Sequence, residues 1–324
     1  MRKRRLYTCA VLAAATALLA ASLAMGAEGS VWMTDFKAAK EKAAKEKKDL
    51  LVDFSGSDWC GWCIKLDKEV FSQEAFLKEA PKHFVLVVLD FPKKPENVEK
   101  IPAEQRKENE KLMREFGVEG FPTIFLIEAN GKPYAQRGYQ PGGPEKYVKD
   151  IISVKEKTPL RDKLLAKAAT AQGMERAKVL DQALQNADES ILDKDFTKEM
   201  AEIVQVDSAN AAGLKAKYDL RLRLAEAAKA KTANDPKKAI EIYDGIVKDL
   251  KPSGEALQDV LFNKGEAYFN LKDMGALVAA LKEALAAAPD SKKAPAIKQM
   301  IERFSQAPKE PVPAPQEKPA QPAK

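Results

Sequence analysis

Two textures of hydrophobic patterning divide this chain. Up to about residue 156, short apolar runs alternate with stretches of helical periodicity; beyond about residue 159 only the helical period persists. Trp32, Phe36, Ala39 and Ala43 recur at helical spacing, and Lys37, Lys40, Lys42, Lys45, Lys47 and Lys48 around them read as a solvated helix face. Residues 50–54 read as a short buried strand. A tight turn follows, then a helix-like run over 64–71 and a second helical segment over 73–80. Residues 84–89 are continuously apolar and rich in valine, the pattern of a parallel strand buried on both faces. Strand, helix and strand in this order imply a right-handed crossover. A polar, lysine-rich loop spans 92–102, and a charged helix with Leu112 and Phe116 on one side spans 103–116. The next expected strand is 123–128. Asn130-Gly131 signals a hairpin turn, and 132–138 supply the return strand. Gly142-Gly143-Pro144 breaks the chain before a helix over 145–154.

From about residue 159 alanine, lysine and leucine dominate, and helices are expected near 160–171, 174–187, 190–205, 209–231, 236–250, 255–271 and 274–288. Leu261, Gly265, Ala267, Tyr268, Ala284 and Pro289 fit a tetratricopeptide pattern without gaps, and residues 235–250, through Ala239, Ile240 and Tyr243, resemble the second helix of a preceding unit. Stacked helix pairs can offer a concave binding surface. The other reading is a helical bundle that only braces the first domain. The expected division is therefore 28–157 for an α/β domain and 158–305 for an all-α domain. Residues 306–324, a tail of proline, alanine, lysine and glutamate, cannot bury a core and are expected to be disordered.

Length and charge add little to this division, and the N-terminus adds more. The 324 residues suit two domains. The net charge of +6 is mostly Arg2, Lys3, Arg4 and Arg5; without them 50 basic residues face 48 acidic ones, and nothing calls for nucleic acid. Those four cations precede an apolar run over 9–24, and Ala24, Gly26 and Ala27 offer small residues for cleavage, with Glu28 the first mature residue. Residues 1–27 thus read as a secretory signal peptide. The alternative, an uncleaved membrane anchor, requires more than this short, alanine-rich run. Cys9 stands at the head of the apolar run rather than at its end, which argues against a lipoprotein cleavage site. The expected location is the periplasm or cell envelope.

The mature chain then holds two cysteines, in Asp58-Trp59-Cys60-Gly61-Trp62-Cys63, between the strand and the helix. Cys60 falls at the helix start, where unpaired N–H groups and the helix dipole favour a thiolate and so a nucleophile. Cys63, one turn later, can attack a mixed disulfide on Cys60 and release the product. Zinc needs about four ligands, and the chain adds only Cys9 and His83. Haem attachment wants a histidine where Ile64 stands. A structural disulfide closing so small a loop removes little unfolded-chain entropy. Two unpaired core thiols stay open as a reading. A cysteine–histidine hydrolase is disfavoured because nothing places His83, at the start of a strand, near Cys60. Thiol–disulfide exchange fits an exported chain that keeps only these two thiols.

The segment 32–156 resembles the thioredoxin superfamily, most of all the exported branch that includes the C-terminal domain of the bacterial disulfide-bond reductase. Leu50-Leu51-Val52-Asp53-Phe54, Trp59-Cys60-Gly61-Trp62-Cys63 with Val70-Phe71-Ser72 after it, and Gly120-Phe121-Pro122-Thr123 carry the match, in order and spacing. The resemblance implies an α/β domain with a central mixed sheet flanked by helices. It makes Cys60 the exposed nucleophile and Cys63 the buried resolving thiol. Asp53 becomes the buried carboxylate that moves the resolving proton. Pro122 becomes a cis proline facing the disulfide, and Phe121 offers its backbone to an extended substrate. Trp59, Gly61, Trp62, Phe121, Pro122 and Thr123 would border the substrate. The other readings are a trans proline that starts a strand, and an Asp53 satisfied by local hydrogen bonds. Thioredoxin itself has one fewer residue between that aspartate and the first cysteine, and a proline where Trp62 stands. Trp62 is either a surface for substrate or a packed aromatic. The expected function is an exported thiol–disulfide oxidoreductase without cofactor or metal. Its partners would be protein thiols and disulfides, a redox protein that recycles the pair, and a possible protein partner on the helical domain. The competing function is a scaffold working through the helical domain, with a non-catalytic cysteine pair.

Overall fold

A computed structural model describes residues 30–305. The expected signal peptide and the C-terminal tail expected over 306–324 lie outside the described residues. The chain divides into two compact units. The first runs up to Pro159 and also takes Ala187–Ile191; the second takes Leu160–Asn186 and continues from Leu192.

In the first unit Asp35 caps helix α1 (Phe36–Glu46), its side chain accepting the Ala38 N–H at 2.9 Å, and Lys47 ends it in the left-handed conformation. Trp32, expected on that helix, lies before this cap in the two-residue strand β1 (Trp32–Met33), which pairs in parallel with Leu86 and Val87. Strand β2 (Asp49–Ser55) leads to helix α2 (Gly61–Leu66), which passes into a π-helical turn over Asp67–Phe71. There the Ser72 N–H reaches back five residues to the Asp67 carbonyl at 2.9 Å, and both Val70 and Phe71 turn inward. Helix α3 (Glu74–His83) and strand β3 (Phe84–Asp90) follow. The loop expected over 92–102 contains a short helix α4 (Pro95–Val98), and α5 is Ala103–Phe116. Strands β4 (Thr123–Ile127) and β5 (Pro133–Arg137) form the expected hairpin.

The five strands lie in the order β1-β3-β2-β4-β5, with β1, β3 and β2 parallel and β4 and β5 antiparallel. Alternation along β2 builds two cores. Leu50, Val52 and Phe54 join Ala39, Ala43, Leu112 and Phe125 on one face; Leu51 joins Leu66, Phe71, Phe76 and Tyr147 on the other. Asp53 shares the parity of Leu51 and stands in what is otherwise a core position.

Helix α6 (Gly143–Thr170) corrects the reading of two helices broken near residue 159, because it runs through Pro159. Proline lacks the N–H that would bond the Lys155 carbonyl; the Thr158 hydroxyl donates to that carbonyl instead, at 2.7 Å. The boundary expected after Lys157 therefore falls inside a helix. The remaining helices are α7 (Gly173–Gln185), α8 (Glu189–Asp195), α9 (Thr197–Val206), α10 (Leu214–Thr232), α11 (Pro236–Leu250), α12 (Gly254–Asn270), α13 (Met274–Ala287) and α14 (Ala294–Ser305). The single helix expected over 190–205 is two, parted at Phe196. That over 209–231 starts only at Leu214, because the Asp207 carboxylate takes the N–H groups of Ala212 and Leu214. Helix α14 lies beyond the last expected helix, and Ile297, Met300, Ile301 and Phe304 carry its apolar spacing. Gly265 in α12 lets α13 approach: a Cβ there would stand 3.4 Å from Leu277 Cδ1.

Candidate active site

The turn between β2 and α2 is built by side chains more than thirty residues away. The Asp90 carboxylate, at the end of β3, accepts the Ser57 N–H at 2.9 Å and the Ser57 hydroxyl at 2.6 Å. Asp58 accepts the N–H groups of Lys93 and Lys94, each at 2.9 Å, and the Asn97 amide at 3.0 Å. The Asn97 amide and the Lys93 N–H hold its pKa down at about 2. The parallel register, with Ser55 opposite Asp90, brings these partners together. Sequence reading gives Ser57, Asp58, Asp90 and Asn97 no part in the site. An Asx-rich turn after a strand was the available signal, but its partners depend on strand register.

Cys60 is the N-cap of α2, in extended conformation, and its Sγ accepts the Cys63 N–H at 3.2 Å. The two cysteines are joined by a disulfide, with their Cα atoms 5.2 Å apart. Both are buried, Cys60 at 6% and Cys63 at 3% exposure, which corrects the expectation of an exposed Cys60. Bonded to Cys63, the Cys60 sulfur is tied back against the first turn of the helix, and the exposed surface belongs to its neighbours. Trp59 is 39% exposed, Trp62 57% and Ile64 46%. A Cβ on Gly61 would meet nothing within 4 Å, so the backbone between the cysteines is open.

Trp59 packs edge-on to Phe121, ring centroids 5.5 Å apart, which joins the head of α2 to the Gly120-Phe121-Pro122-Thr123 stretch. The Phe121–Pro122 bond is cis. Thr123 is buried and donates its hydroxyl to the Gly120 carbonyl at 2.8 Å. Trp62 packs instead on Tyr139, at 5.1 Å, with the Lys65 ammonium 5.3 Å from its ring. His83 ends α3, rather than starting a strand, with Nε2 3.4 Å from Glu79 Oε1.

Asp53 is 5% exposed, and its Oδ1 has no hydrogen-bond partner. Burial, and then the charges of Asp67 and Asp90, push its pKa up to about 8. Asp53, Cys63, Asp67 and Asp90 line one cavity of about 480 Å³. A carboxyl so placed keeps its proton near neutral pH and can exchange it with a group in the same cavity.

Comparison with known proteins gives one family. A model described as the thioredoxin-like domain matches residues 36–150. Disulfide bond reductase DsbH of Chlamydia pneumoniae is 37% identical over 115 residues, which cover 36% of this chain and 67% of that protein. Thioredoxin-related protein DsbJ of the same organism is 36% identical over 97 residues, 30% of this chain and 27% of DsbJ. Among solved structures, a DsbH oxidoreductase has 36% identity and a TM-score of 0.34, covering 37% of this chain and 80% of its own. The oxidised C-terminal domain of Neisseria meningitidis DsbD has 21% identity and a TM-score of 0.28, covering 36% and 94%.

Proposed function

This chain belongs to the thioredoxin-like family, and on that premise we propose that it is an exported thiol–disulfide oxidoreductase that reduces protein disulfides. The observation that carries the reading is Cys60 as the N-cap of α2, its sulfur on the Cys63 N–H at 3.2 Å. In the reduced protein that N–H and the helix start favour a thiolate on Cys60. The thiolate attacks one sulfur of a substrate disulfide. The other substrate sulfur leaves and takes up a proton. Cys63 gives its proton to Asp53 in that carboxyl's ionised form, through their shared cavity, and attacks the Cys60 sulfur. The second substrate thiol departs; the substrate has gained two electrons, and Cys60 and Cys63 are left as a disulfide. Phe121, Pro122 and Thr123, with Trp59, Gly61 and Trp62, border the incoming chain.

The reducing direction draws support from the relative named as a disulfide bond reductase. A second redox protein would recycle the pair. Export rests on the leader over 1–27 and places the protein in the periplasm or cell envelope. Among the described residues no helix is long and apolar enough to cross a membrane. The exchange and recruiting roles expected of 28–157 and 158–305 are assigned to the first unit, which runs to Pro159 and adds Ala187–Ile191, and to the helices of the second. Support for the recruiting role comes from the helix pair α12–α13, packed closely at Gly265.

Equilibration of the Cys60–Cys63 pair with glutathione tests the reading. A potential toward the reducing end of the range for this chemistry, about −270 mV, is expected. A value near the oxidising end, about −120 mV, would reverse the direction, and a pair that never equilibrates would remove the function.

A further inference from the structure

Trp59 is partly exposed, yet it is held on several sides. An added Cβ on Gly56 would stand 2.6 Å from Trp59 Cε2, so only glycine leaves room for the indole. The indole N–H donates to the Phe91 carbonyl at 2.8 Å. Phe121 packs at the ring edge, and Phe91 in turn packs on Phe121 at 5.4 Å. Over the ring stands the Lys93 ammonium, 3.7 Å from its centroid. The loop bearing Lys93 is pinned by Asp58, whose two oxygens accept the Lys93 and Lys94 N–H groups. A cation held on an aromatic face pays part of its ordering cost before any partner arrives.

The second lysine on an aromatic beside the cysteines differs in one respect. Lys65 lies 3.9 Å from the Glu69 carboxylate, which also accepts the Tyr139 hydroxyl at 2.6 Å, so its charge is already answered. Lys93 makes no ion pair among the described residues; Asp58 meets it through the main chain. Immediately beside Cys60, the indole therefore presents an apolar edge together with an ammonium that makes no ion pair among the described residues.

We propose that Lys93, seated on the Trp59 ring, is a specificity-determining residue that receives a carboxylate next to the substrate cysteine. The preferred substrates are protein disulfides flanked by aspartate or glutamate. The proposal rests on the exchange activity described above. A passing acidic segment gains an ion pair at a fixed position, while a basic one meets a like charge.

The test uses the full chain in its reduced form with two peptide disulfides that differ only in glutamate or lysine beside the cysteine, and with a neutral small disulfide alongside. The wild-type protein should react faster with the glutamate peptide, and the ratio of the two rates should shrink as salt rises. Lys93→Met should lower that ratio by about two- to five-fold, the size of an exposed ion pair, and Lys93→Arg should restore it. Equal wild-type rates for the two peptides would overturn the proposal while exchange with the neutral disulfide upholds the activity. So would a ratio unchanged by Lys93→Met, including one in which both peptides slow alike, since the charge would then act on Cys60. Failure to react with any of the three would remove the activity and this specificity together.

Discussion

At the scale of single residues, the unusual group is Asp53, a carboxyl in a core position of the central strand with one oxygen unpartnered. Its pKa is raised to about 8, so folding and proton binding are linked. Below the ordinary carboxylate value both folded and unfolded chains hold the proton, and burial of the carboxyl carries no charge penalty. Between that value and about 8 the unfolded chain ionises while the folded one keeps its proton. Stability therefore falls as pH rises, by up to about 1.4 kcal/mol per pH unit. Asp53→Asn should remove this fall: denaturant midpoints of variant and wild type should diverge from about pH 4 upward and run parallel above pH 8. Parallel curves throughout would mean that Asp53 ionises freely in the fold. The same variant should slow release of the mixed disulfide, read by single-turnover exchange. Asp53, Cys60 and Cys63 were legible because their residue types and spacing carry chemistry. Ser57, Asp58 and Asp90 were not, because hydrogen bonds over 33 to 39 residues exist only once β2 and β3 are in register.

At the scale of elements, apolar runs located the longer strands and most helices, and failed where local chemistry overrode the period. Trp32 continues a helical spacing but belongs to β1, because Asp35 caps the helix after it. Pro159 marks a break in the sequence, yet Thr158 takes over the carbonyl that the proline leaves open. The π-helical turn after Cys63 has no period of its own to read. Gly265 was legible as a pattern residue, and the structure supplies the reason for it in the Leu277 and Leu281 methyls beside its Cα. Gly265→Ala should be near neutral, since the added contact at 3.4 Å is offset by a helix-propensity gain of about 1 kcal/mol. Gly265→Leu should overpack the α12–α13 contact and cost about 1–3 kcal/mol. Thermal unfolding of the two variants distinguishes them; equal losses would mean that the helices do not depend on close approach there.

At the scale of the whole molecule, the composition shift near residue 159 was legible, but the first unit also recruits Ala187–Ile191 from beyond the next helix. Arg137 on β5 is bound by Asp150 at 2.6 Å and by Asp188 at 2.7 and 3.0 Å, and the Ser190 hydroxyl accepts the Gln136 N–H at 2.8 Å. The Arg137 and Asp188 side chains are only 13% and 10% exposed. Asp188→Ala should therefore destabilise the first unit by about 1–3 kcal/mol, read by chemical denaturation. A chain cut after Lys157 should be weaker still, having lost this contact and half of α6; equal stability of full and cut chains would contradict the role given to Ala187–Ile191. The central claim is that Cys60 attacks and Cys63 resolves. It is tested most directly by expressing Cys63→Ser in the cell of origin and looking for disulfide-linked partners on a non-reducing gel. The account predicts partner bands that vanish on reduction, are lost when Cys60→Ser is added, and are far weaker with Cys60→Ser alone. A Cys63→Ser protein that traps nothing, while the wild type still binds partners non-covalently, would contradict the account and leave a scaffold; equal trapping by the two single variants would contradict the assignment of the two thiols.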